Sequence, residues 1–77
     1  MTVKIEIIDG ETIEKNTIEE ICYYMKKRDA TLPNSLKEYM ETVKKRLENI
    51  NIEISTISSE SFIKDLETIG FLKIIKD

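Results

Sequence analysis

The chain has 77 residues, 40% apolar and 35% charged, with 15 acids against 12 bases and a net charge of −3. A chain this short buries one modest core, so a single domain spanning residues 1–77 is expected, with no room for a cofactor domain beside a substrate domain. With no histidine and a single cysteine, an internal disulfide, a Cys/His zinc site and every nucleophile–histidine pair are excluded.

Val3, Ile5 and Ile7 alternate with Lys4 and Glu6, the period of a half-buried strand over residues 3–8. Asp9-Gly10 follows, a hairpin signal because both residues tolerate positive φ. Residues 11–15, ETIEK, form the return strand. A two-residue turn would set Ile13 across from Glu6, on the polar face. A longer loop or a bulge near Gly10 brings Ile13 to the core face and is the expected arrangement.

Thr17 with Glu20 makes a capping box for a first helix ending near Arg28, with Ile18, Ile21, Cys22 and Met25 as its buried stripe. Residues 29–34, DATLPN, read as a loop, since Pro33 cannot lie inside a helix and biases Leu32 away from one. Ser35 with Glu38 caps a second helix whose stripe is Leu36, Tyr39, Met40, Val43 and Leu47, with Ile50 continuing it and Asn49 or Asn51 as exit residues. Ile52, Ile54 and Ile57 alternate as a short strand. Ser58 or Ser59 caps a third helix with Phe62, Ile63, Leu66 and Ile69 inward, and Gly70 ends it. Residues 71–76, FLKIIK, are the last strand.

The expected fold is therefore α+β, a two-layer sandwich of about four strands and three helices in the order β-β-α-α-β-α-β. The last strand is expected beside the first, both of them central. The opening strand–turn–strand–helix over about the first 28 residues resembles the start of ubiquitin-like grasp folds, but a second helix then follows where that fold returns to strand.

No catalytic, cofactor or metal site is expected. Cys22 sits mid-helix on the buried stripe beside Glu19, the setting of a small core hydrophobe rather than a low-pKa thiol. The many carboxylates fall at capping positions or on polar helix faces, and Asp9-Gly10 lacks the later ligands of a calcium loop. Two basic runs, Lys26-Lys27-Arg28 and Lys44-Lys45-Arg46, lie at or near helix ends, where cations complement the dipole. They could contact phosphate, but the chain is acidic and lacks aromatic-interleaved strands, so nucleic acid is the weaker expectation.

Tyr23 and Tyr24 are adjacent and cannot share one helical stripe; Tyr23 is the one expected to lean outward. Together with Tyr39 and Leu32 they are the expected partner-binding residues. Ile8 and Ile75 fall on the sheet face away from the helices, mixed there with acids and lysines. Lys4, Glu6 and Asp9 interrupt any signal-peptide core, and no segment reaches the about 18 apolar residues of a membrane span. The expectation is a cytoplasmic, non-enzymatic accessory or regulatory protein that binds another protein or itself as a homodimer, without a membrane. Weak nucleic-acid binding is the alternative. The 14 isoleucines, 10 lysines and absent glutamine are the bias of an AT-rich bacterial or archaeal genome.

Overall fold

A computed structural model describes residues 2–29 and 32–75. Three strands and three helices follow in the order β1 (Val3–Ile7), β2 (Thr12–Lys15), α1 (Ile18–Lys27), α2 (Leu36–Glu48), α3 (Ser59–Thr68) and β3 (Leu72–Ile75). The class is α+β, with one strand fewer than the sequence suggested. Ala30 and Thr31 of the expected loop and Lys76 of the expected last strand lie outside the described residues.

The sheet order is β2-β1-β3, antiparallel throughout. The first and last strands are neighbours, as their shared apolar character suggested, but only β1 is central and β3 is an edge. In the hairpin, the Ile7 N–H donates to the Glu11 carbonyl and the Gly10 N–H donates to the Ile7 carbonyl, both at 2.8 Å. Gly10 has φ +97°, the left-handed residue that closes a three-residue loop with a bulge. The register sets Ile13 opposite Ile5 on the core face. The bulge is thus what lets two isoleucines face one core.

Each helix begins on the expected hydroxyl. Thr17, Ser35 and Ser58 accept from the N–H groups of Glu20, Glu38 and Ser61, each at 3.1 Å. α3 ends at Gly70, φ +84°, where the Gly70 and Phe71 N–H groups donate to the Glu67 and Leu66 carbonyls, a Schellman closure. α2 unwinds through Asn51, φ 64°, with the Asn51 and Ile52 N–H groups donating to the Glu48 and Leu47 carbonyls. Asparagine tolerates that conformation better than a branched residue.

Ile5, Ile13 and Leu72 of the sheet meet Ile21, Cys22 and Met25 of α1 and Phe62, Ile63 and Leu66 of α3 in one core. Tyr39 and Met40 of α2 join it, Tyr39 standing edge-on to Phe62 at 5.9 Å. Two expectations fail here. Residues 52–57 form no strand: Ile54 is buried without any ladder, the Ser55 N–H donates to the Asp65 carboxylate at 2.7 Å, and Ile57 is exposed. Ile69, expected inward, lies past the last turn of α3 and is exposed. The sheet face away from the helices carries Lys4, Glu6, Thr12, Glu14 and Lys73, all exposed, with Ile75 half-buried among them.

Candidate functional site

α2 packs on α1 and, through Tyr39, on α3, while α1 packs on β2 and α3 on β3. The C-terminal half of α2 therefore stands off the hairpin end of the sheet. A cleft of about 480 Å³ remains between them. Its apolar lining comes from Ile7 and Ile13 of the sheet, Met25 of α1, Val43 and Leu47 of α2 and Leu66 of α3. Ile50, just past α2, and Phe71, just before β3, complete it and are 62% and 38% exposed.

The charged groups of the cleft are paired with each other. Arg46 of α2 grips Asp29, at the end of α1, with two parallel bonds of 2.9 and 3.1 Å. The Asp29 side chain is only 6% exposed and that of Arg46 50%. This fork ties the C-terminal half of α2 to the end of α1. Arg28 pairs with Glu11 across the cleft's other side. Asp9 accepts from the Glu11 N–H at 2.9 Å within its own loop. The rim thus offers an incoming molecule little unspent charge, and the apolar floor dominates.

The four tyrosine and leucine positions expected to bind a partner do not form one surface. Tyr39 is buried, and burial first, then the neighbouring Asp29 carboxylate, push its phenol up to about 12. Tyr24 is half-buried, its hydroxyl near the Glu11 carboxylate at 3.4 Å and its ring between Lys15 at 5.0 Å and Arg28 at 5.7 Å. It fastens α1 to the hairpin. Tyr23 is 44% exposed, beside Lys15, Glu20 and Lys27. Leu32 is exposed at φ 50°, an unusual conformation for a leucine, ahead of a buried Pro33.

In the basic runs, Lys27 and Lys45 are exposed and Lys26 and Lys44 half-buried, while Arg28 and Arg46 serve the internal pairs. Cys22 is fully buried; burial, with the Glu19 charge adding to it and a Ser59 hydrogen bond opposing, pushes its thiol up to about 11. Among the described residues no three cysteine, aspartate or glutamate side chains are grouped to hold a metal ion, and no helix is long and apolar enough to cross a membrane.

The cleft was not read from the sequence. Ile50 and Phe71 each sit just outside a regular element, where periodicity assigns no face. The one available signal was that Ile50 continues the α2 stripe past the helix end. Set against known protein families, curated proteins and solved structures, the chain matches none.

Proposed function

We propose that this chain is a non-enzymatic accessory or regulatory protein that acts by binding another protein or a second copy of itself through the apolar cleft beside α2. The observation that carries the reading is the cleft itself: aliphatic side chains from α2 and the sheet converge on it, Ile50 and Phe71 stay exposed, and the charged rim is neutralised from within. Exposed apolar surface of this kind marks contact sites. A cytoplasmic setting agrees with the free cysteine.

Ile50→Glu tests the reading with little risk to the fold, because the side chain is largely in water. Wild-type chain is sized by light scattering over a range of concentrations and used as bait in native lysate, beside the variant. The expected result is a dimer, or a captured protein, that Ile50→Glu loses while its circular dichroism and melting stay unchanged. A wild-type chain that is strictly monomeric and captures nothing, or a capture indifferent to Ile50→Glu, overturns it. The nucleic-acid alternative has less support, since both arginines of the basic runs already hold carboxylates. It requires gel-shift affinity that falls steeply with salt.

A further inference from the structure

The outer edge of β3 carries a contact that the fold does not need for its core. The Ile8 N–H donates to the Phe71 carbonyl at 2.9 Å. In an antiparallel ladder successive residues alternate between facing the partner strand and facing away. Phe71, Lys73 and Ile75 therefore turn their backbone groups toward β1, and Leu72 and Ile74 turn theirs to the outside. The outward Ile74 N–H is not left open: it donates to the Glu67 carboxylate at 2.9 Å. Glu67 sits in the last turn of α3, so the Schellman closure at Gly70 folds β3 back beneath its side chain.

Edge strands with open N–H groups are templates for pairing with another chain, and proteins block them with charges. We propose that Glu67 is a guard on β3: its carboxylate occupies the N–H that an incoming strand needs, and so keeps the β3 strand of a second copy from extending the sheet. Lys73 works in the same direction. A two-fold pairing of β3 with β3 that joins Leu72 to Ile74 of the other copy is centred on Lys73 and sets two ammonium groups opposite each other, a destabilising arrangement. The guard steers self-association away from the sheet edge and does not rest on the cleft.

The test compares the wild-type chain with Glu67→Gln, Glu67→Ala and the double variant Glu67→Ala/Lys73→Thr by sedimentation over a wide concentration range. Glutamine keeps an acceptor, so Glu67→Gln is expected to behave as wild type. Glu67→Ala is expected to raise the self-association constant about thirtyfold, the worth of two such bonds because each copy of the two-fold pair gives one up, and the double variant further. Alanine is a stronger helix former than glutamate, so α3 is retained. A measurement on the unaltered chain stands beside these: the Ile74 amide should exchange with deuterium more slowly than those of Thr12 and Glu14, which face outward on β2. The proposal is overturned if both alanine variants associate no more than wild type, if Ile74 exchanges as fast as Thr12 and Glu14, or if Ile50→Glu abolishes the association of Glu67→Ala, which would place it in the cleft.

Discussion

Leu66 and Ile63 lie three residues apart on α3 and both are fully buried. They differ in what lies behind them: Leu66 borders the cleft, and Ile63 borders none of the described cavities. Replacing a buried aliphatic side chain by alanine costs about 2–5 kcal/mol, the spread being set by how much sealed void remains. Behind Leu66 the void opens into the cleft, where neighbours or water can enter, so Leu66→Ala should fall near about 2–3 kcal/mol. Behind Ile63, which borders no such opening, the void stays sealed within the core, and Ile63→Ala should cost about 3–4 kcal/mol. The greater helix propensity of alanine relieves the Ile63 variant by only a few tenths of a kcal/mol. Since about 1 kcal/mol moves the melting point of a domain this size by about 4–8 °C, thermal unfolding resolves the two. Urea midpoints at equal m-value give the same ranking independently. If Leu66→Ala proves as costly as Ile63→Ala or costlier, the cleft does not reach the core and the reasoning fails.

Alkaline stability should fall in two stages. The Cys22 thiol rises from 9.0 to about 11 on folding and the Tyr39 phenol from 10.0 to about 12. Both are held neutral by the fold, so their contribution is complete below the unfolded value and is lost as pH rises through the folded one. Each is worth on the order of 2–3 kcal/mol. Urea titrations from pH 8 to pH 12 should show the loss, with Cys22→Ala removing its lower part and Tyr39→Phe its upper part. Iodoacetamide at mildly alkaline pH should leave Cys22 unmodified in the native chain and label it in urea; rapid native labelling would contradict its burial. Ser58→Ala should cost about 1 kcal/mol through the lost Ser61 N–H bond, read from the same melts. Gly70→Ala should cost about 1–2 kcal/mol, all of it backbone, because a Cβ there meets no neighbouring atom.

Local rules carried most of the fold. Caps at Thr17, Ser35 and Ser58, the glycines at the two left-handed turns and the α1 stripe were all legible, since each rests on residues within a few positions of one another. The hairpin register followed from requiring Ile13 to face the core. Long-range relations were less legible. That Tyr39 meets Phe62 edge-on, and that Arg46 reaches back to Asp29, depends on how α2 crosses its neighbours, which no stripe specifies. Tyr39 falls on the inward stripe of α2 and also counts among the expected partner-binding residues, because tyrosine suits both places; the structure buries it. The cleft depended on the same crossing, and so did the fate of the arginines.

A strand exists through its neighbours, and residues 52–57 reach none. Their polar groups are satisfied instead by side chains of the helices they join: the Ser55 N–H by Asp65 of α3, the Thr56 hydroxyl by Glu41 of α2. Ile54 is drawn into the core and Ile52 packs against it. The connection is thereby fastened between α2 and α3, and β3 keeps an outer edge that Glu67 covers. With α2 tied by Tyr39 at one end and by the Arg46–Asp29 fork at the other, its last turn is held off the sheet. Closing the gap would require a larger side chain than Val43 on the cleft side of α2. The chain supplies none, so Ile50 and Phe71 remain in water at a cost that an apolar partner would relieve.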